Sequence, residues 1–452
     1  MTSALPTASP DWQTGPLPAW DGYGEVTGIT GITATLADPA AARIDPSRDR
    51  DRDTESAGLP PVPVPLLFLI ADTGGGHRSA ARAVSHALEL AYPGQYAPVL
   101  CDPLGGPDAF APLRWVTRLY GPSIRLTPWI WGVIYHGFET GPAMNWLRRT
   151  VFPLVARPVA GAVAEHQPAA IVSFHPLTGA AAVRALAFAA DRPPVVTVIT
   201  DLATAHPTWH CAEVDRIVVP SAAAANGPGP RGAAAAGRLD QYVDIGLPVN
   251  PDFLAGPLRA RDRRALRRSL GLSRRGFLVV LTGGAEGSGR IYQRAAAILR
   301  GCDDVAVVAI CGRNASLQRR LNRLAVRAGG RLTVQGYVHN MAQWLRCADL
   351  VVTKAGPGTI AEAACCGAAL VLTSHVPGQE KGNAELVVAA GAGRHAPGIR
   401  QLVAEIGRLR ADPAAVSAMR AASARLSRPN AAADIAALLA GLAAGIRTPA
   451  RG

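Results

Sequence analysis

The chain has 452 residues and a formal net charge of +13. That length allows two or three domains with substantial cores, and the positive balance suits an anionic partner: a nucleotide, a nucleic acid or an anionic membrane surface. Its seven cysteines are scattered with no C-x-x-C pair and no zinc-type spacing, which speaks for free thiols in a reducing compartment and against a disulfide framework.

Residues 1–62 mix Pro, Gly, Thr and Asp with an Arg/Asp tract at 48–53. They offer too little apolar surface to offset the entropy of ordering and read as a disordered tail. No basic segment followed by an apolar stretch opens the chain, and the first apolar run, 66–71, is far too short to cross a bilayer. A cytoplasmic protein, or one held at the inner face of the cell membrane, is expected. From Leu66 the pattern becomes strand, glycine turn (Gly74-Gly75-Gly76-His77), then a helix over 79–90. Residues 114–159 hold four of the eight tryptophans (Trp115, Trp129, Trp131, Trp146) interleaved with Arg114, Arg118, Arg125, Arg148 and Arg149. Amphipathic aromatics beside arginines suit the headgroup level of an anionic bilayer; a helical insertion packed on its own domain is the plainer reading. Strand-like runs recur at 170–174, 195–200 and 216–220 with helical stretches between them, which predicts a parallel, doubly wound sheet.

A Gly/Ala/Pro-rich stretch at 227–237 and a short strand before Gly246-Leu247-Pro248 close this first domain, 63–250. The connection to the next is expected at 250–256. The basic run 259–275 lacks the aromatics or motif of a nucleic-acid site and reads as a solvated helix. A second strand–helix alternation, in 251–428, starts at 277–281 and repeats at 305–311, 332–334, 350–353 and 369–373. The α/β class with two Rossmann-like doubly wound domains follows, and a last helical segment occupies 429–452.

Chemistry concentrates in 349–393. An apolar strand ends at Gly356-Pro357-Gly358, and Thr359-Ile360-Ala361-Glu362 opens an Ala-rich helix. A glycine turn at a helix N-terminus presents unpaired N–H groups beside the positive dipole end, which suits a diphosphate. A further strand leads to Val376-Pro377-Gly378-Gln379-Glu380, a polar loop returning to the same sheet edge, where open α/β sheets bind ligands. Gly283-Gly284-Ala285-Glu286-Gly287-Ser288-Gly289 is another strand-to-helix glycine turn. It is no P-loop, because Arg290-Ile291 follows where Lys-Ser/Thr is required, and it lacks the dinucleotide fingerprint.

The segment TKAGPGTIAEA followed by PGQEKGN resembles the donor half of monogalactosyldiacylglycerol synthases, which share a GT-B glycosyltransferase family with the peptidoglycan N-acetylglucosamine transferase. Four more segments agree in order: ADTGGGH at 71–77, TDLATAHPTW at 200–209, GLPVNP at 246–251 and CGRN at 311–314. The resemblance spans roughly 66–435 and implies two domains facing across a cleft, with the last helix crossing back onto the first domain. It also implies inverting transfer of a hexose, galactose or glucose, from a UDP-sugar to diacylglycerol. UDP-sugar is then a co-substrate, and the partners are a lipid acceptor and an anionic membrane surface, with no nucleic acid. No metal is expected; the Asp-x-Asp pattern at 49–51 in the tail is accidental. Rival readings are transfer to another lipid-linked or small-molecule acceptor, or a UDP-sugar epimerase of the same fold.

On the donor side the resemblance places Gly283, Gly284, Gly356, Pro357, Gly358 and Thr359 at the diphosphate and Val338 at the uracil. Gln379 and Glu380 fall on the sugar hydroxyls, and Arg313 adds charge for departing UDP. Glu362 would take the ribose, although Thr359-x-x-Glu362 also has the spacing of a capping box. On the acceptor side stand Gly75, Gly76, His206 and Trp209, with Trp129 and Trp131 at the membrane. His77 is either general base or orienter of the acceptor, its pKa lowered to keep it neutral. Asp201 is the second candidate base, or the group that orients His77, or simply a helix N-cap. Ala203 and Ala205 depart from the pattern inside the Thr-Asp run.

Overall fold

The computed structural model describes residues 62–71, 75–139, 141–226, 241–273, 276–376 and 378–447, all within one compact unit, Pro60–Gly452. The tail, apart from Val62, lies outside the described residues, as do Asp72 to Gly74 of the first motif and the whole stretch 227–237. The first domain carries β1 (Val64–Leu69), β2 (Tyr96–Cys101), β3 (Ala170–Ser173), β4 (Val195–Val198), β5 (Arg216–Val219) and β6 (Tyr242–Asp244). Its helices are α1 (Gly76–Ala91), α2 (Ala111–Leu126), α3 (Pro128–Gly137), α4 (Gly141–His166), α5 (Thr178–Ala185) and α6 (Ala222–Asn226). The second domain has β7 (Phe277–Thr282), β8 (Val305–Ile310), β9 (Leu332–Gln335), β10 (Leu350–Thr353), β11 (Leu370–Leu372) and β12 (Gly393–His395). Helices α7 (Ala260–Ser269), α8 (Ile291–Gly301), α9 (Ala315–Val326), α10 (Met341–Cys347) and α11 (Pro357–Cys365) come first. They are followed by α12 (Lys381–Ala389), α13 (Ile399–Ala411), α14 (Pro413–Leu426) and α15 (Ala431–Arg447).

Both sheets are six-stranded and wholly parallel in their described pairings, ordered β2-β1-β3-β4-β5-β6 and β12-β11-β10-β7-β8-β9. Inner strands such as β4 (VVTV) and β10 (LVVT) are buried along their whole length, because helices cover both faces of a parallel sheet and every position must be apolar or small. A separate apolar cluster fills each face of each sheet.

The chain passes between the domains immediately after β6. Val249 and Phe253 pack in the apolar cluster that also holds Leu278, Val280 and Leu370 of the second domain. Helix α15 packs back on α1, with Ile435, Ala436 and Leu439 fully buried against Leu66 and Phe68 of β1. Burial of Ile435 and Leu439 contributes about 2 kcal/mol each, which ties the end of the chain to the first domain. All seven cysteines are free.

The switch points of the two sheets position the site. The order in which strands are added reverses between β1 and β3 in one sheet and between β7 and β10 in the other, so the loops leaving those strands diverge and open a crevice at the strand C-termini.

Candidate active site

On the first domain, Gly75 caps α1 with a left-handed backbone (φ 84°) and places His77 in the first helical turn. The helix starts three residues earlier than the predicted 79, because Gly75 already completes the turn. The Nδ1 of His77 is hydrogen-bonded to Thr200 Oγ1 at 2.9 Å. The ring meets His175 edge-on at 4.9 Å and Trp209 at 6.1 Å. Burial pushes the His77 pKa down to about 4, against a hydrogen bond to the Phe174 backbone. The neutral form is therefore dominant at neutral pH, with burial as its cause.

Asp201 follows β4 and is buried. Its Oδ2 accepts from Trp209 Nε1 at 2.7 Å and its Oδ1 from Gln379 Nε2 at 2.9 Å. Burial raises its pKa to about 6, partly opposed by the two hydrogen bonds and assisted by nearby Glu380. Two sequence-level alternatives for this carboxylate fall here. Thr200, not Asp201, holds His77, and the cap of the following 3-10 turn, Pro207–Trp209, is His206.

His206 and Trp209, expected on the acceptor side, are both buried. His206 Nδ1 lies 2.8 Å from Thr208 Oγ1, and its Nε2 lies 3.1 Å from the Tyr135 carbonyl. Trp209 separates His77 from Asp201 and pins the latter. Neither presents a surface to a membrane.

On the second domain, β10 delivers Lys354, Ala355 and Gly356 into α11. Gly356 is the N-cap and Pro357 the first helical residue, a favoured place for proline because the missing N–H has no partner there. The first N–H paired within the helix is that of Ile360, to the Gly356 carbonyl, which leaves Gly358 and Thr359 as the helix's open donors. The capping-box alternative for Thr359 and Glu362 is thereby overturned: Thr359 is the third helical residue and Glu362 the sixth. Burial alone lifts the Glu362 pKa to about 7.

The β7 glycine turn folds on itself, with Ser288 N–H bonded to the Gly283 carbonyl at 3.2 Å. A Cβ at Gly283 would overlap the Ser288 backbone, so no larger residue permits this closure. Gly284 has φ 72° and faces Lys354. Arg313 ties its own turn in through its N–H, 2.7 Å from the Ala285 carbonyl. Its guanidinium sits over Tyr337 and 3.4 Å from Glu286. Val338 packs against the core beside it.

Gln379 and Glu380, expected on sugar hydroxyls, already have protein partners. Gln379 donates to Asp201, while Glu380 pairs with Lys354 Nζ and accepts from Val376 N–H at 2.8 Å. Lys381 is exposed and sits 3.9 Å from Glu385.

The two crevices meet. Asn383, fully buried, accepts from Ala203 N–H at 3.1 Å and donates to the Ala355 carbonyl at 3.0 Å. Ala203 thus contributes through its backbone, and Ala205 is core; neither departure from the family pattern costs a side-chain contact. Gly382 lies so close to Thr204 that a Cβ there would overlap its hydroxyl. Gly75 faces Ala285 and Gly378 faces the Tyr135 ring, while Gly76 stays open.

Sequence reasoning missed several members of the site. Arg294 on α8 is buried beneath the glycine turn and donates to the Thr373 carbonyl at 2.7 Å. Lys354, Thr200, Asn383, His175 and Tyr135 are the others. Lys354 and Asn383 stand inside quoted motifs, whereas Arg294, His175 and Tyr135 carried no local signal.

A family model for monogalactosyldiacylglycerol (MGDG) synthase matches residues 77–233, and one for the glycosyltransferase family 28 C-terminal domain matches 278–436. A probable monogalactosyldiacylglycerol synthase 2 of Oryza sativa subsp. indica is 34% identical over 352 residues, covering 76% of this chain and 73% of the relative. The chain belongs to the monogalactosyldiacylglycerol synthase family. It is therefore a glycosyltransferase. Monogalactosyldiacylglycerol synthase 1 of Arabidopsis thaliana is also 34% identical, over 73% of this chain and 61% of the relative's length.

Among solved structures, Acinetobacter baumannii MurG has a TM-score of 0.54 at 15% identity, covering 84% of this chain and all of that one. Anabaena Alr3699/HepE, in complex with UDP and glucose, gives 0.51 at 18% identity with the same coverage. These likenesses establish the GT-B architecture.

The insertion between β2 and β3 forms α2, α3 and α4. Trp115 (63% exposed) and Leu119 (57% exposed), with Val116, form an exposed apolar face on α2, with Arg118 also exposed. Trp146, Arg148 and Arg149 are exposed on α4. The side chains of Trp129 and Trp131 lie outside the described residues. Among the described residues no helix is long and apolar enough to cross a membrane, and no group of three or more His, Cys, Asp or Glu is placed to hold a metal ion.

Proposed function

We propose that the protein transfers galactose from UDP-galactose to diacylglycerol with inversion at the anomeric carbon. One observation carries the reading: the candidate base Asp201 is a single hydrogen bond from Gln379 of the donor loop, so proton acceptor and sugar-binding motif share one point in the cleft. The relatives' names supply the sugar and the lipid, and the open helix N-termini of α8 and α11 supply a site for a diphosphate.

Asp201 is the base in this scheme and His77 the orienting group. An effective base has a pKa near the working pH. Asp201 at about 6 is nearer than His77 at about 4, a difference of roughly a hundredfold in basicity. The acceptor hydroxyl oxygen bonds to the anomeric carbon as the bond from that carbon to the UDP oxygen breaks. The hydroxyl proton passes to Asp201, and the charge developing on UDP meets the Gly358 and Thr359 N–H groups and the α8 N-terminus. Arg294 and Lys354 add positive charge behind those turns. Glu362 accepts the ribose hydroxyls as a carboxylate. No divalent metal takes part.

Diacylglycerol resides in a bilayer, and the apolar face of α2 with its flanking arginines suits peripheral attachment to an anionic inner membrane face. Incubation with UDP-galactose, UDP-glucose and UDP-N-acetylglucosamine on diacylglycerol vesicles, followed by mass spectrometry of the lipid, tests the whole reading. The expected product is a galactosyl lipid formed only when diacylglycerol is present. A product formed from the UDP-sugar without acceptor would replace this reading with epimerisation.

A further inference from the structure

The second domain has a pocket of about 560 Å³ far from the cleft. Gly276 and Phe277 line it where β7 begins, Asp304 where β8 begins and Asp349 where β10 begins. Since the strands are parallel, it sits at the N-terminal edge of the sheet, about 20 Å from the loops that form the site. Leu258, Leu409, Val416 and Phe277 give it an apolar wall.

Its charges do not balance. Asp349 is consumed by the fold: its Oδ2 accepts from Leu278 N–H at 2.8 Å and pairs with buried Arg267 at 2.7 Å. Arg267 is also anchored to the Cys347 and Gly276 carbonyls. Arg410 pairs with Asp304. Arg263 reaches the already occupied Asp349 only at 3.5 Å. Arg420 donates through Nη1 to the Ala348 carbonyl at 3.0 Å, while its buried Nη2 has no hydrogen-bond partner among the described residues. Four guanidiniums thus surround two carboxylates, leaving two positive charges, and the two least satisfied cations, Arg263 and Arg420, both line the pocket. Buried guanidiniums without an anion are costly, and Arg is suited to bidentate contact with phosphate.

We propose that this pocket is a second ligand site, distinct from the cleft, that binds a small phosphomonoester through Arg263 and Arg420 and seats its apolar body against Phe277. A phosphomonoester dianion matches the two uncompensated charges, and the volume is that of a small-molecule site.

Titration calorimetry of the full chain with phenyl phosphate and with inorganic phosphate is the test. Saturable binding of phenyl phosphate is expected, about tenfold tighter than inorganic phosphate because of the apolar wall. It should persist when UDP is present at saturation. Arg263→Ala should weaken it about tenfold. Ser417→Asp, on an exposed position of the pocket rim, adds a repelling carboxylate without touching the core and should weaken it similarly. Absence of saturable binding by the unaltered protein, displacement by UDP, or equal affinity in Ser417→Asp would each overturn the proposal.

Discussion

The proposed donor and acceptor halves of the cleft are built differently. The donor half is local: one strand, one glycine turn and one helix N-terminus, repeated at β7–α8 and β10–α11, supply nearly all its groups within short sequence windows. The acceptor half is assembled. His77 follows β1, His175 follows β3, Thr200 and Asp201 follow β4, and Tyr135 arrives from the insertion between β2 and β3. A phosphate site needs only backbone donors and a dipole, which a single turn provides. Proton transfer needs a carboxylate held at a chosen basicity, which requires burial and partners from several elements.

The sharpest way to break this comparison is at Asp201. Asp201→Asn should lower turnover by about 10²- to 10⁴-fold while UDP affinity, measured by calorimetry, stays within about twofold. Loss of UDP binding in this variant would place Asp201 on the donor side and erase the division. The pH profile sharpens the same point. A base must be deprotonated, so kcat/KM should fall about tenfold per unit below pH about 6, the Asp201 value. An inflection near 4, the His77 value, would transfer the role to His77.

On the donor side, Glu362→Gln should weaken UDP about tenfold, because a neutral amide replaces a bidentate acceptor. Its pKa stands above the ordinary carboxylate value, so the folded state holds the proton more tightly than the unfolded one. The buried carboxylate then destabilises the fold progressively as pH rises from about 4.5 to about 7, and fully above that. Thermal melts at pH 8 should therefore show Glu362→Gln more stable, by about 3 kcal/mol. Weaker UDP binding together with a lower melting temperature would contradict that account. For the same reason UDP affinity in the unaltered protein should fall as pH drops below 7.

A smaller effect is expected at the insertion. Replacing Trp115 and Leu119 with serine should reduce co-sedimentation with anionic vesicles several-fold, with UDP affinity unchanged, and the binding of the unaltered protein should weaken with salt. Protein that ignores both neutral and anionic vesicles would redirect the acceptor towards a soluble molecule. The smallest expected effect is none: turnover should persist in EDTA. Loss of activity restored by Mn²⁺ or Mg²⁺ would show that helix dipoles and arginines do not suffice.

Much of the fold was legible in the chain. The apolar runs at β1, β3, β4, β5 and β7 to β11 announce strands because parallel strands are covered on both faces. The strands that gave little or no signal, β2, β6 and β12, lie at sheet edges and are largely half-exposed or exposed, so their residues need not be apolar. The glycine turns after β7 and β10 were equally legible as strand-to-helix turns, since glycine spacing at a strand end sets that backbone geometry. Which partner each side chain takes was not. Thr359 and Glu362 fit a capping box by spacing, and only the placement of Gly356 and Pro357 at the helix start removes it. Asp201 could have capped a helix or held His77; tertiary packing gave it Trp209 and Gln379, the latter 178 residues away. Short-range patterns are set by backbone geometry, which the sequence determines locally. The basicity of Asp201 and the excess charge beside Asp349 depend on which groups distant strands bring together, and that only the folded chain decides.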